Sequence, residues 1–578
     1  MKNLFALILC LFTSTESLGQ TYVTNTTIID VENQKLLRNQ TIVIVNDKIS
    51  NIQSSDKIKI PANATVVDGT GKYLAPGLTD AHIHFSQNGG LYTRPDAIDL
   101  RKLVPHEQDI DVSKAQMEDK LRRYLQNGIT TVFDVGSTVN LLKKSKEFKD
   151  KDFAPTIFMT GPLATTFEPE IFANLSNDSP FSLTKTIKEG IKTVQDQLEY
   201  QPDFIKIWYI AGADGLSVEK SARKNLPIVK AIIDEAHKNN LKVAVHATER
   251  ITAQLAVENG ADFLVHSVDD EILKPDFVQL IKKNKVVFCP TLVVHGGYVN
   301  TFGHNLNFSS YELKTADSYQ LGTLLDLKHL SDTLLVNRYK GMGNSTQMVG
   351  RLKTADSISA ANLKMLSDTG VTIVTGTDAG NLGTLHVSSY QVELKAMKAS
   401  GMSNWQILVA CTINGAKVLD KENEFGSIAI GKKANLLLLE ANPLQNLENL
   451  TKINRVINKG VVFDPKDLLK DTPEILVQRQ LNAYNFRNIE AFLEPYADDV
   501  ELYNYPNTLL GKGKETMRKN YAQMFENTPN LHCELKGRIV QGSVVIDKEY
   551  VQFGDKFLDA TAIYHIENGK IQKVYFVK

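Results

Sequence analysis

From Leu78 to Asp378 the chain alternates short apolar runs with helical stretches, and this alternation restricts its fold more than any other feature. Eight runs read as strands: Leu78–His84, Thr130–Gly136, Thr156–Gly161, Phe204–Tyr209, Lys242–Ala247, Phe263–Ser267, Val286–Pro290 and Val371–Asp378. Helical stretches such as Leu226–Asn239 and Thr252–Asn259 lie between several of them. Apolar strands separated by helices predict a parallel sheet, because a parallel pair needs a long crossover. Eight such units over roughly 340 residues fit an elaborated (β/α)8 TIM barrel. A polar excursion from about Gly296 to Asp356 is too long for an ordinary connection and predicts a helical insertion or lid.

Both flanks of this region are β-rich. Thr26–Asp30, Thr41–Val45 and Ala64–Gly71 precede it; Gly426–Asn435, Leu436–Leu439 and Val456–Phe463 follow. One small β-sandwich assembled from residues 20–75 and 420–463 accounts for both, with the barrel at 76–419. Residues 464–473 read as a linker. Beyond them the pattern becomes helix, helix, strands, which predicts an α+β unit at 474–578. Residues 1–19 differ from everything else: Lys2 precedes an unbroken apolar run from Leu4 to Phe12, and Ser17-Leu18-Gly19 resembles a cleavage site. Nine apolar residues are too few to span a bilayer, so this segment reads as a cleaved signal peptide and predicts a secreted or periplasmic protein. No later segment predicts a membrane span. The net charge of −1 argues against a nucleic-acid partner. Cys289, Cys411 and Cys533 are too scattered for a disulfide framework and read as small buried residues.

Ionisable residues stand at the ends of several predicted strands: His82 and His84 on the first, Lys206 on the fourth, His246 on the fifth, His266 on the sixth and Asp378 on the eighth. The chemistry of such a barrel sits where strands end. His82 and His84 are two apart, so on a strand both point to one face, as two ligands of a zinc-like ion would. Buried ionisable groups are costly without partners, and four imidazoles, a carboxylate and an amine at one face point to a metal centre. Lys206 lies in the apolar run Phe204-Ile205-Lys206-Ile207-Trp208, where an ammonium would repel a cation; carboxylation by CO₂ turns it into an anionic bridging ligand.

Taken together these positions resemble the amidohydrolase superfamily, within it the secreted prolidase-like and imidazolonepropionase-related group. The resemblance covers about residues 21–463. It rests on Ala75-Pro76-Gly77-Leu78-Thr79-Asp80-Ala81-His82-Ile83-His84, Phe204-Ile205-Lys206-Ile207, His246, His266, Thr375-Gly376-Thr377-Asp378-Ala379-Gly380 and Ala410-Cys411-Thr412-Ile413-Asn414-Gly415-Ala416. It implies two divalent ions, zinc foremost. His82, His84 and Asp378 hold one, His246 and His266 the other, and carboxylated Lys206 bridges them. It also implies hydrolysis of a C–N bond by metal-activated hydroxide, with Asp378 carrying the proton. The expected substrate is a small molecule: a cyclic or N-acylated amide, or an Xaa-Pro-like dipeptide. Tyr209, His386 and Glu249 are candidates for substrate contact. Two departures stand out: Phe133 where relatives often carry Arg, and His246-Ala247-Thr248-Glu249, which matches single-metal relatives. A mononuclear imidazolonepropionase- or deaminase-like hydrolase is therefore an alternative, and a catalytically inactive ligand-binding protein another.

Residues 474–578 resemble the nuclear-transport-factor-2-like (SnoaL-like, steroid-isomerase-like) fold, on Leu476–Tyr484, Tyr496–Val500 and Gly511-Lys512-Gly513. Where that family places its catalytic Tyr and Asp, this chain has Gln480 and Asn504, and a neutral amide is no general base. The unit is expected to bind a ligand or to form a homodimer.

Overall fold

The computed structural model describes residues 19–172 and 178–577; the leader expected at residues 1–19 lies, Gly19 apart, outside them. Parallel strands dominate the central region, as long crossovers require. Leu78–Ile83, Ile129–Asp134 and Thr156–Met159 form one sheet. Leu163–Thr165, Ile205–Trp208, Val243–His246, Phe263–Val265 and Val287–Cys289 pair in a second, with the short Phe181–Leu183 at its edge. The two sheets approach where the Asp203 N–H donates to Met159 O at 2.9 Å.

Residues 371–379 depart from the expected strand. They form isolated parallel bridges, Ile373 with Phe288 and Ala379 with Ile83. The Ala81 N–H donates to Thr375 O and the Val374 N–H to Phe288 O, so the segment runs between the last strand and the first. Regular pleating fails because Asp378 takes a left-handed backbone (φ 59°). Gly376 lies so close to its neighbours that a Cβ there would stand 2.4 Å from Cys289 Sγ and 2.8 Å from His82 Cβ.

Side-chain alternation sorts these strands into two layers. Ile205 and Ile207 pack outward with helix residues such as Val229, Ile232 and Ile233. Phe204 turns the other way, among Phe133, Phe158, Phe263 and Val287. The flanking strands join in one eight-stranded sheet, in which Tyr73–Pro76 bridges Gln20–Asp30 from the N-terminal flank to Leu436–Leu439 from the C-terminal one.

The excursion after residue 290 is helical: Val294–Gly303, Ser310–Thr315, Ser318–Thr323, Thr333–Gly343 and Thr346–Thr369. In the segment read as a linker, Pro465–Leu468 forms a short helix with Leu468 buried. The C-terminal unit packs helices Pro473–Asn485, Ile489–Leu493 and Lys514–Asn527 on a six-stranded sheet. Its core is continuous with the insertion: Leu476 and Val477 share one apolar cluster with Leu321, Leu324 and Leu327. Across that junction Asn482 Nδ2 donates to Ser318 O at 2.6 Å. Cys289, Cys411 and Cys533 are buried free thiols. Among the described residues no helix is long and apolar enough to cross a membrane.

Candidate metal centre

His82, His84, His266 and Asp378 converge where the parallel strands end. His82 Nε2 and His84 Nε2 lie 3.3 Å apart, and Asp378 Oδ1 is 3.2 Å from the first and 3.1 Å from the second. Asp378 Oδ2 lies 3.8 Å from His266 Nδ1. Ligand atoms of His82, His266 and Asp378 all fall within 4.8 Å of one another. The His246 and His266 rings stand 4.3 Å apart, and those of His82 and His266 4.7 Å. Lys206 and His246 line the same cavity, of about 170 Å³, together with Arg94, Trp208 and Tyr298.

The tautomers follow from the surroundings. His84 donates Nδ1–H to Gly136 O at 2.7 Å, which leaves the Nε2 lone pair facing His82 and Asp378. Buried His82 Nδ1 has no hydrogen-bond partner. His266 Nδ1 pairs with the Thr291 hydroxyl at 2.8 Å. Burial drives the His82 imidazolium down to about 3 and holds His246 and His266 well below the usual range, so all three are neutral near pH 7. For Asp378 burial works toward protonation, but His82 beside it, then His84 and His266, outweigh it and keep the carboxyl well below its ordinary range. Neutral imidazoles turned on one another around a carboxylate are electron-rich groups at close range. That donor set fits a divalent cation of the zinc type.

Backbone strain marks the same place. His266 (φ 77°) and Asp378 (φ 59°) both hold left-handed conformations that non-glycine residues rarely adopt, at roughly 1–3 kcal/mol each. Asp378 is further fixed by Asn381, whose Nδ2 donates to Oδ1 at 2.7 Å. Asn381 Oδ1 in turn accepts from Tyr298 OH at 2.7 Å and from Arg94 Nη1. Arg94 is clamped by Asp96 through Nε and Nη2 at 2.8 and 2.6 Å. Two buried carboxylates brace the first two strands. Asp80 accepts from the Thr377 N–H (3.0 Å) and hydroxyl (2.8 Å); Asp134 accepts from the Phe85 N–H (2.9 Å) and the Gly136 N–H (3.1 Å).

The three expected substrate contacts fall elsewhere. Tyr209 OH donates to Ala222 O at 2.6 Å, so it faces the helix layer: one residue on from Trp208, it takes the opposite side of the strand end. His386 has both nitrogens engaged, with Tyr124 OH and Gln87 O, and stacks on Phe85. Glu249 precedes helix Arg250–Glu258 and pairs with the Thr252 hydroxyl at 3.0 Å. None of the three lines the cavity. Asp80 lies within the quoted run Ala75–His84, but Arg94, Asn381 and Asp134 carry no motif of their own that singles them out. The one signal of these three is position, each lying within a dozen residues of a candidate ligand or at a neighbouring strand end.

Parallel strands whose C-terminal ends gather imidazoles and a carboxylate form a candidate metal site. The chain belongs to the Amidohydrolase family, whose model matches residues 73–463, and a SnoaL-like domain matches residues 477–574. It is accordingly a hydrolase of carbon–nitrogen bonds. It is 21% identical over 470 residues to the imidazolonepropionase of Alkaliphilus metalliredigens (strain QYMF), covering 75% of this chain and 92% of that protein. It is 25% identical over 240 residues to the enamidase of Eubacterium barkeri, covering 40% of this chain and 52% of the relative. Among solved structures it shares its fold with a putative prolidase from Bifidobacterium longum (22% identity, TM-score 0.57, covering 80% of this chain and 98% of that one). A Xaa-Pro dipeptidase with bound methionine in the active site is similar too (21% identity, TM-score 0.58, covering 77% and 100%).

Proposed function

We propose that the protein is an exported dinuclear hydrolase of small amides, cyclic or N-acylated amides or Xaa-Pro-like dipeptides. The parallel strands are read as a closed (β/α)8 barrel, supported by the hydrogen bonds that residues 371–379 make to both the first and the last strand. The flanking sheet is read as its β-sandwich. His82, His84 and Asp378 would hold one ion, His246 and His266 the second, and a carbamate on Lys206 would join them. Bound there, two divalent ions supply Lewis acidity and acidify water. What carries the reading is the approach of Asp378 Oδ1 to 3.1 Å from His84 Nε2 and 3.2 Å from His82 Nε2.

Lys206 supports the bridging role. Burial drives its ammonium down to about 7, so near neutrality much of it is the free amine, the form that adds CO₂. Asp378 is the proton carrier: it accepts a proton from the attacking water and returns it to the leaving nitrogen. The braced Asn381 holds the carboxylate for that transfer. Trp208, Phe181 and Tyr298 give the cavity apolar walls. The cavity's volume suits a molecule of dipeptide size and not a folded chain. Export rests on the N-terminal apolar run.

A single-ion reading is favoured by one observation: ligand atoms of His82, His266 and Asp378 gather within 4.8 Å of one another, a set that does not include His246. Metal analysis separates the two, with two equivalents per chain expected. The test of function is a screen of N-acyl amino acids, dipeptides and small lactams with metal-replete enzyme. Asp378→Asn should abolish any hydrolysis found, and activity preserved in that variant would overturn the mechanism.

A further inference from the structure

A second cavity, of about 450 Å³, lies inside the C-terminal unit, between its helices and one face of its sheet. Its walls are aromatic and aliphatic, among them Tyr484, Phe492, Tyr521 and Phe576. Its rim carries Leu510, Phe553 and Leu558, each about half exposed. One ionisable acid faces this apolar space, Glu549, on the strand Val544–Phe553.

The polar side chains at its base form a directed chain that ends on that acid. Tyr496 OH donates to Gln480 Oε1 (3.1 Å), Gln480 Nε2 donates to Tyr564 OH (3.0 Å), and Tyr564 OH donates to Glu549 Oε1 (3.0 Å). This accounts for one Glu549 oxygen. The nearby cation, Arg538, is engaged by Asp547 through Nε and Nη2, at 2.7 and 2.6 Å. Among the described residues Glu549, 7% exposed, therefore has no counter-charge in contact with it. A buried carboxyl without a cation is costly, and a ligand that brings the cation relieves that cost.

We propose that this cavity binds an apolar amine, with its ring body against the tyrosine and phenylalanine walls and its ammonium on Glu549. A carboxylate ligand would set two acids side by side, and an alcohol would leave the charge uncompensated. Preferring an amine to other cations rests on the proposed C–N hydrolysis, which releases one. Burial raises the Glu549 carboxyl to about 7, so mildly alkaline buffer keeps it ionised.

The test uses the full-length protein at pH 8 and three matched fluorescent probes: 1-naphthylmethylamine, 1-naphthalenemethanol and 1-naphthylacetate. The amine should bind about tenfold more tightly than the alcohol, in keeping with one charge-assisted hydrogen bond in a dry site, and the acetate should not bind. Glu549→Gln should weaken the amine about tenfold and leave the alcohol unchanged, with the melting temperature of the C-terminal unit preserved. If that variant fails to fold, Leu510→Trp at the rim should weaken the amine and the alcohol alike by obstructing entry. Equal binding of the three probes, no binding of the amine, or amine affinity indifferent to both substitutions would overturn the proposal. Wild-type results separate the two readings: amine binding with no substrate hydrolysed in the screen counts against the barrel chemistry alone, and a hydrolysed substrate with no amine binding counts against this cavity alone.

Discussion

Asn381→Ala isolates what holds Asp378, the proposed proton carrier, in place. The side chain spends its amide nitrogen on Asp378 Oδ1 at 2.7 Å and its oxygen on Tyr298 OH at 2.7 Å and on Arg94. Removing a hydrogen bond to a charged group costs about 1.5–3 kcal/mol. If Asp378 needs that bond in the transition state, kcat/KM should fall by roughly ten- to a hundredfold, since about 1.4 kcal/mol is a factor of ten. Arg94 keeps its bidentate contact with Asp96, so the stability loss should come from the orphaned Tyr298 hydroxyl and Arg94 Nη1–H, about 1–3 kcal/mol each. The companion variant Asn381→Asp places a second carboxylate beside Asp378. Like charges raise each other's pKa, so the acid limb of the pH–rate profile should move to higher pH. Steady-state kinetics over pH 5–9, with metal content measured on the same samples, give the answer. Wild-type kcat/KM and an unmoved acid limb in both variants would refute the positioning role.

Three further outcomes follow from the same geometry. Gly376→Ala would drive a Cβ to 2.4 Å from Cys289 Sγ and 2.8 Å from His82 Cβ, so it should destabilise the parallel-strand region by about 1–3 kcal/mol and weaken metal retention; an unchanged thermal melt with full metal content would contradict this. Lys206→Ala removes the proposed bridge, and metal analysis should show occupancy falling from two equivalents to one or fewer; two equivalents retained would exclude bridging. Burial lowers both His82 and His386 to about 3, against about 6.5 in the unfolded chain. The unfolded chain then takes up protons that the folded one refuses, so chelator-treated protein should lose stability as pH falls from about 6.5 toward 3, at about 1.4 kcal/mol per pH unit for each imidazole. Urea melts that stay flat over that window would sink this reading.

The candidate residues that sequence alone singled out share one property: each is an ionisable group within or at the end of an apolar run, where chemistry contradicts context. Lys206 between Ile205 and Ile207 is legible because burying an amine there has no structural use. Asn381 and Arg94 were invisible for the converse reason, since a polar residue in a loop contradicts nothing. Tyr209 misled because strand alternation reverses a side chain in one step: Trp208 lines the cavity and Tyr209 faces Ala222. His386 and Glu249 misled because a hydrogen bond silences a polar group, and the partners Tyr124, Gln87 and Thr252 cannot be paired with them without coordinates. The C-terminal unit extends the point. At Gln480 and Asn504 a neutral amide reads as lost chemistry. Yet Gln480 relays hydrogen bonds to an acid 69 positions further on, which the folding of the sheet alone brings within reach. Where function depends on one residue violating its local context, a single sequence suffices to find it. Where it depends on two ordinary residues meeting, only the fold reveals it.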